Sequence, residues 1–254
     1  MIRVVKIGGR AQDDPGLIAA LAAVVSAGDS VCVVHGGGDA VSTLQRQMGL
    51  EPTFLGGRRV TSPADLAVVR MVLSGTTNKR LVAQMISAGI NAVGVSGEDA
   101  SLFRARIGDP QLGRVGVQVD VNPALVAHLM AGGYVPVVSP LARDADDAAG
   151  GAGLNVNGDD AAAALAGALV ADELVLVADV AGVIDGDSVI PVLDAAAAVS
   201  LVERGVATGG MAAKLEAAAH ALRAGVRGVR IAGVGGIGDT TAGTRFVLAH
   251  SLAR

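Results

Sequence analysis

Short apolar runs alternate with segments of helical pattern along the chain, and this alternation limits the folds that it can adopt. In VVKIG (4–8), VCVVH (31–35) and ELVLVA (173–178), apolar residues occupy successive positions, so both faces of each strand are expected to be buried. Helices between such strands cover both faces of a sheet whose strands run parallel. The sequence therefore predicts an α/β protein with a mainly parallel sheet covered by helices.

The same patterns locate the other elements. Further strands are expected at NAVGVS (91–96), YVPVVS (134–139), GVRIA (228–232) and TRFVLAH (244–250). Helices are expected at 13–28, 39–49 and 62–88, and near 122–131, 158–169, 194–204 and 210–224. The segments 112–121 and 141–157 fit neither pattern, and we interpret them as hairpins or flaps at strand ends, where α/β proteins place binding residues.

Composition excludes several classes of function. Aromatic residues make up 2% of the chain and the net charge is −4, with no block rich in Lys and Arg, which counts against a nucleic-acid partner. The longest apolar run, 161–171, is too short to span a membrane, and the first residues lack the pattern of a signal peptide. Cys32, the single cysteine, is expected to be buried and inert. We therefore expect a cytoplasmic protein with no disulfide.

Glycines lie just after three of the expected strands. They are Gly8-Gly9, Gly36-Gly37-Gly38 and Gly182, each near the carboxyl end of its strand, where open α/β sheets bind ligands. Glycine lets backbone N–H groups approach an anion, and the start of a following helix adds partial positive charge. Tight turns also favour glycine, so one group alone indicates little. Repetition at successive strand ends favours an anion site.

Two lysines and one aspartate are the leading candidates for chemistry. Lys6 lies in an apolar strand, where its charge is costly to bury unless it meets an anion. Lys214 lies near the start of the helix expected at 210–224, and Asp159 opens the helix after NVN. Each also has a simpler interpretation. Lys6 could be a lysine of an edge strand, Lys214 a solvated lysine on a helix, and Asp159 a carboxylate that caps a helix.

Other motifs are rejected or uninformative. No GxxxxGK[ST] occurs, so a P-loop NTPase is excluded. GVGGIG (233–238) matches GxGxxG, but DTTAG then leads to the last expected strand and not to a helix, so we reject a dinucleotide fingerprint. The four histidines lack metal-ligand spacing, and no protein metal site is expected.

Nine motifs, in order along the chain, resemble those of the amino acid kinase superfamily. They are VVKIGG, VVHGGG, GRRVTSPAD, SGTTNK, GYVPVVSPL, NVNGDDAAAALA, ADVAGVIDGD, TGGMAAKLEAA and AGTRF, and the similarity covers essentially all 254 residues. The resemblance implies a three-layer sandwich with a mainly parallel central sheet of about eight strands. It also implies an N-terminal lobe, 1–172, for the acylated amino acid and dimerisation, and a C-terminal lobe, 173–254, for ATP.

The resemblance implies a reaction as well. The γ-phosphoryl group of MgATP would pass to the side-chain carboxylate of N-acetyl-L-glutamate, a step of arginine biosynthesis, with Mg²⁺ carried on the ATP phosphates. Lys6 and Lys214 match the lysines that neutralise charge on the transferred group, and Asp159 matches the carboxylate that positions both. Gly8, Gly9 and Gly37 match backbone donors to the phosphoryl oxygens.

Binding residues follow from the same resemblance. On the acceptor side, Gly37 and Gly38 match backbone contacts, Arg59 matches an arginine that clamps a carboxylate, and Asn155 matches an amide that contacts the acylamino acid. Arg58 is expected at the surface. The residues expected around ATP are Asp179, Val180, Ala181, Gly182, Val183, Ile184, Thr208, Gly209, Gly210 and Met211.

Alternatives remain open at this point. Glu98 replaces a lysine and Gly158 an alanine that are common in the family, although neither touches the expected chemistry. A sibling kinase acting on a carrier-linked aminoadipate or on N-succinylglutamate would share the lysines and Asp159. A catalytically silent ligand sensor could use the same scaffold.

The resemblance also implies an assembly. We expect a homodimer through the helix ADLAVVRMVLSG (64–75). Arginine-sensitive relatives carry a helix before the first strand, and because VVKIGG begins close to Met1 we expect no inhibition by arginine. The segments 96–121 and 141–154 are expected to move when substrates bind.

Overall fold

The structure is a computed structural model that describes residues 1–147 and 152–248. In this part of the chain the α-helices are α1 (Leu17–Ser26), α2 (Gly38–Gln47), α3 (Pro63–Arg70), α4 (Asn78–Ser87), α5 (Ala124–Ala131), α6 (Gly158–Ala168), α7 (Ala195–Glu203) and α8 (Gly209–Arg223). The strands are β1 (Ile2–Ile7), β2 (Ser30–His35), β3 (Phe54–Leu55), β4 (Arg58–Arg59), β5 (Ala92–Ser96), β6 (Phe103–Ile107), β7 (Val115–Val121), β8 (Val135–Ser139), β9 (Leu141–Asp144), β10 (Gly153–Val156), β11 (Glu173–Val177), β12 (Ile184–Asp185), β13 (Ser188–Val189), β14 (Val192–Asp194), β15 (Gly228–Ala232) and β16 (Thr244–Val247).

Eight strands form one sheet in the order β14-β16-β15-β11-β1-β2-β8-β5. Strand β11 runs parallel to β1 and β15, and β8 runs parallel to β2 and β5. Strand β16 runs antiparallel to β15. The predicted α/β class and the mainly parallel sheet of eight strands are confirmed.

The chain forms two compact units. The first unit comprises Met1–Val31 and Ala162–Arg254, and the second comprises Cys32–Ala161. The assignment of substrate and nucleotide to lobes 1–172 and 173–254 stays a prediction.

In the first unit, β1 lies beside β11 with Lys6 opposite Leu176. Val4, Val5 and Ile7 are fully buried, as expected for a strand covered on both faces. Near the other end of these strands, the Glu173 carboxylate joins two buried arginines. Arg230 Nε lies 2.6 Å from Oε1, and Arg3 Nε lies 3.2 Å from Oε2. The buried charges of this cluster are therefore paired, as burial requires.

In the second unit, four strands close into a small barrel, β10-β7-β6-β9. We predicted 112–121 and 141–157 as hairpins or flaps, and strands β9 and β10 of the second segment do pair antiparallel. The sequence patterns did not predict that β7 pairs with β10 or that β6 pairs with β7 and β9. Asn155 in β10 pairs with Val115 in β7 and with Leu141 in β9. The tip of the expected flap, 148–151, lies outside the described residues.

The helical segment predicted from Ser62 to about Ala88 consists of three parts. It starts with a capping box, in which Ser62 Oγ accepts from the Asp65 N–H and the Asp65 carboxylate accepts from the Ser62 N–H. Helix α3 then passes into a π-helical segment, Met71–Thr77, and continues as α4. Single π-helical turns within α-helices are often found at functional sites.

Candidate active site

Two lysine side chains of the first unit converge on Gly8. If Gly8 carried a Cβ, that atom would overlap Lys6 Nζ and would lie 3.7 Å from Lys214 Nζ. Lys6 is 6% exposed and Lys214 is 8% exposed, and both also have interactions within the protein. The sequence prediction that these two lysines share one site is therefore consistent with their positions, and the missing side chain of Gly8 makes the space for it.

The elements explain why the lysines meet. Lys6 is the penultimate residue of β1, and Gly8 follows that strand directly. Lys214 lies in the second turn of α8, a helix that begins at Gly209 with a φ of 51°. A strand end and a helix start thus supply two cations and several backbone N–H groups, a combination suited to a phosphate.

The segments expected to bind ATP also belong to the first unit. Asp179 follows β11, and because β1 and β11 are parallel, this segment leaves the same edge of the sheet as Gly8. Thr208 precedes α8 without a side-chain cap, so the N–H groups of Gly209 and Gly210 lie at the uncapped start of a helix. Gly182 packs closely, since an added Cβ would lie 2.7 Å from Val189 Cγ1.

The GVGGIG segment has a structural role. It forms a short 3₁₀ turn, Val234–Gly236, and no helix follows it before β16, as predicted when the dinucleotide fingerprint was rejected. Arg230 Nη1 donates to the carbonyl oxygens of Gly236 at 3.0 Å and of Asp239 and Ala242 at 2.8 Å. The loop therefore presents carbonyl groups to a buried cation.

A cavity of about 230 Å³ lies in the second unit. All four residues predicted to bind the acceptor line it: Gly37, Gly38, Arg59 and Asn155. Its apolar wall includes Val41, Val69 and Leu73, which belong to one buried cluster. An apolar wall with a few polar groups at fixed positions is typical of a small-molecule site.

Arg59 is held in one orientation at this cavity. Its Nη2 donates to the Gly38 carbonyl and to Ser42 Oγ, both at 2.8 Å, and its Nη1 donates to Gln45 Oε1. The guanidinium also stacks over the Phe54 ring, 4.8 Å from its centroid. Burial lowers the pKa of Arg59, and the charge of Asp65 offsets only part of that effect. A partly desolvated, fixed guanidinium is a favourable partner for a carboxylate.

Arg58, which we expected at the surface, is half-buried and also lines the cavity, so that expectation was wrong. Sequence patterns also missed Phe54 and Asn157, both of which line it. The sequence did contain a signal for Asn157 as a site residue, because it belongs to the NVNGDD motif and immediately precedes a helix. Phe54 carried no such signal, since only the short β3–β4 hairpin brings it over Arg59.

Asp159 belongs to the second unit, at the start of α6. It is 4% exposed, and its N–H donates to Asn157 Oδ1 at 2.7 Å. Asn155, two residues before Asn157, donates to Thr61 Oγ1 at 3.2 Å. The segment 155–159 thus runs from the barrel strand β10 along the cavity to a buried carboxylate.

The described residues contain no cluster of three or more His, Cys, Asp or Glu side chains placed to hold a metal ion. Their helices include none that is long and apolar enough to span a membrane. Cys32 is fully buried, and burial raises the pKa of its thiol, in agreement with an inert core residue.

The chain is similar to known proteins over nearly its whole length. The model of the amino acid kinase family matches residues 1–233. An acetylglutamate kinase of Chloroflexus aurantiacus is 42% identical over 249 residues, covering 96% of each chain. One of Methanopyrus kandleri is 44% identical over 93% of this chain and 96% of its own. The crystal structure of smu.665 from Streptococcus mutans UA159 matches 97% of this chain and 98% of its own, with a TM-score of 0.85 at 28% identity.

Proposed function

This chain belongs to the amino acid kinase family, and we infer that it uses ATP to phosphorylate the side-chain carboxylate of N-acetyl-L-glutamate, a step of arginine biosynthesis. The observation that carries this function is the convergence of two buried lysine ammonium groups on Gly8, in a chain whose full-length relatives are acetylglutamate kinases.

The residues account for the chemistry without a general base. A carboxylate is already ionised at neutral pH, so the enzyme has to align two anions and neutralise charge on the phosphoryl group. We propose that Lys6 and Lys214 supply this charge, with the N–H groups of Gly8 and Gly9 as further donors. Asp159 is proposed to orient the lysines.

The cavity of the second unit is the proposed acceptor site. Arg59 would bind a carboxylate of N-acetyl-L-glutamate, and Asn155 would contact the acetamido group. The backbone N–H groups of Gly37 and Gly38 would donate to oxygen atoms of the substrate. The apolar wall at Val69 and Leu73 would contact the methylene groups of the substrate. Phe54 covers the guanidinium and limits its exposure to water.

ATP is proposed to bind at 179–184 and 208–211. We propose that Mg²⁺ arrives on its phosphates, where it neutralises charge during transfer. This requires no cluster of carboxylates in the protein. The uncapped start of α8 offers N–H groups to the same phosphates.

The setting of the reaction is part of the same proposal. We propose a cytoplasmic homodimer, since ATP-dependent biosynthesis needs the cytoplasmic nucleotide pool, and because two-fold dimers are the commonest closed assemblies.

Trapping the acyl phosphate with hydroxylamine tests the function directly. The protein should release ADP and form a hydroxamate with N-acetyl-L-glutamate, and kcat/KM should be lower for N-succinyl-L-glutamate, N-acetyl-L-aspartate and aminoadipate derivatives. A higher kcat/KM for another acid would assign the protein to a sibling activity. Ligand binding without ADP release from any of these acids would indicate a sensor.

A further inference from the structure

His35 ends β2 and directly precedes the three glycines that line the acceptor cavity. Its side chain is fully buried, and the mechanism above does not use it. Nδ1 lies 2.9 Å from the Gly36 carbonyl oxygen, and Nε2 lies 3.1 Å from Asn78 Nδ2. The roles of the two ring nitrogens depend on the orientation of the Asn78 amide.

Two neighbours settle that orientation. Asn78 Nδ2 lies 2.8 Å from the Val137 carbonyl oxygen, which can only accept, and Asn78 Oδ1 lies 3.1 Å from Lys79 Nζ, which can only donate. The amide nitrogen of Asn78 must therefore face both Val137 and His35. In the contact with His35, the Asn78 amide N–H therefore donates to Nε2 of the imidazole.

The tautomer of His35 follows from this donation. Because Nε2 accepts a hydrogen bond, the proton of the neutral imidazole must be on Nδ1. Nδ1 then donates to the Gly36 carbonyl oxygen. Asn78 thus sets the tautomer, and the tautomer holds the peptide group between Gly36 and Gly37.

The orientation of that peptide determines where its N–H points. The described chain contains no cis peptide bond, and in a trans peptide the C=O and N–H groups point in opposite directions. With the Gly36 carbonyl directed at the imidazole, the Gly37 N–H points away from it. Gly37 also packs against the π-helical segment, since an added Cβ would lie 2.8 Å from Leu73 Cδ2 and 3.3 Å from Thr77 Oγ1.

We propose that His35 is a positioning residue that holds the Gly36–Gly37 peptide so that the Gly37 N–H donates to the anion being phosphorylated. This role deepens the proposed function and depends on it. The π-helical segment contributes by bringing Asn78, the first residue of α4, to the end of β2. A preorganised backbone donor of this kind acts mainly on the transition state.

Two substitutions of His35 test the contributions of its two ring nitrogens separately. His35→Asn places an amide nitrogen near the position of Nδ1 and keeps a donor to the Gly36 carbonyl. His35→Gln places its amide near the position of Nε2, so it keeps the contact with Asn78. It loses the donor to the Gly36 carbonyl oxygen. We expect His35→Gln to lower kcat about tenfold or more with little change in the KM for ATP, and His35→Asn to retain kcat within about threefold.

Thermal unfolding of both variants provides the control. If the two lower kcat equally, or if kcat follows the loss of stability, His35 only fills the core and the proposal is wrong. Retention of kcat by His35→Gln would also overturn it.

The tautomer of His35 can be determined by a measurement that does not depend on enzyme activity. In ¹⁵N-histidine spectra of the intact protein, with the resonance assigned by its loss in His35→Asn, we expect the neutral Nδ1–H form. The Nε2–H form or an imidazolium at neutral pH would overturn the proposal even if N-acetyl-L-glutamate is turned over normally. Absence of turnover by the unmodified protein would instead contradict the proposed function, and the spectrum still tests the hydrogen bond to Gly36.

Discussion

At the scale of single residues, the most informative feature is that the Lys6 and Lys214 side chains both approach Gly8. Burying an ammonium group is costly, and placing a second one nearby adds repulsion. Lys6 and Lys214 are both almost fully buried around Gly8, although each has other interactions in the protein. We propose that an anionic ligand between them relieves the repulsion, which would account for a lysine in an otherwise apolar strand.

Removal of either lysine should impair catalysis more than binding. We expect Lys6→Ala and Lys214→Ala each to lower kcat about 100-fold or more, because both charges meet the phosphoryl oxygens as charge shifts during transfer. Arg223→Ala, which removes an exposed cation from the other end of α8, should leave kcat unchanged. Steady-state kinetics for both substrates measure the effect. Near-normal kcat in a lysine variant would remove that lysine from the mechanism.

A single methyl group at Gly8 should act on the same site. Gly8→Ala would displace the Lys6 ammonium, and misplacement of a charged group by about 1 Å can cost about 100-fold in rate. The displaced atom ends a flexible side chain, so the thermal midpoint should change little. Gly235→Ala is the matched control, because no atom lies within 4 Å of the added Cβ. Full activity of Gly8→Ala would show that the reaction does not depend on the Lys6 ammonium lying beside Gly8.

Arg59 should contribute to acceptor binding alone. Lysine cannot reproduce the planar contacts with Gly38, Ser42 and Gln45, so Arg59→Lys is expected to raise the KM for N-acetyl-L-glutamate and to leave that for ATP nearly unchanged. Arg46→Lys, at an exposed position of α2, serves as the control. An equal rise in both KM values would mean that Arg59 supports the fold of the whole site.

At the scale of one element, the capping box of α3 links stability to pH. Burial alone would raise the pKa of Asp65, but hydrogen bonds from Ser62 and Gln45 outweigh it and hold the pKa below its usual range. A depressed carboxylate pKa adds stability above the pKa of the unfolded state, and this is lost as pH falls through the folded value. Asp65→Asn should therefore lower stability at pH 7, and because solvent screens this partly exposed carboxylate we expect a loss of only about 0.5 kcal/mol.

The difference between Asp65→Asn and the unmodified protein should shrink as the pH falls into the range where Asp65 becomes protonated. Chemical denaturation at a series of pH values measures it. A difference that stays constant down to the lowest pH at which the protein folds would mean that the charge of Asp65 contributes nothing.

Helices and strands with a strong local pattern could be predicted from the sequence. The strand VCVVH and the helix at 210–224 agree with β2 and α8 to within one residue at each end. The π-helical segment was not predicted. Leu73 and Thr77 within it pack against Gly37, which is distant in sequence, and local patterns do not indicate such a contact. The barrel was missed for the same reason: β6 pairs with β9, almost forty residues later.

The candidate site shows the same limit. Lys6, Lys214 and Gly8 were predicted to act together through the family resemblance, since their positions in the sequence do not indicate that they meet. The structure brings these three together in the first unit and the four acceptor-binding candidates together around one cavity in the second. The contribution of Phe54 to the cavity depends on how the β3–β4 hairpin folds, which local patterns do not encode.

At the scale of the whole molecule, the first unit joins the two ends of the chain. Strand β1 pairs with β11, about 170 positions later, so Lys6 lies in the same unit as the segments expected to bind ATP. Lys6 and Lys214 therefore belong to one structural body despite their separation in sequence.

The proposed homodimer depends on one exposed helical face. Ala64, Ala67 and Met71 are exposed and recur at helical spacing, while Leu66, Val68 and Val69 on the same segment are buried. Met71 is 49% exposed. In a two-fold interface this face would meet its own copy, so Met71→Glu would bring two like charges together and should convert the dimer into a monomer. Met48→Glu, at a methionine 52% exposed after α2, is the matched control and should remain dimeric. Light scattering at micromolar concentration distinguishes the states, and a monomeric unmodified protein, or a Met71→Glu variant that stays dimeric, would exclude this interface.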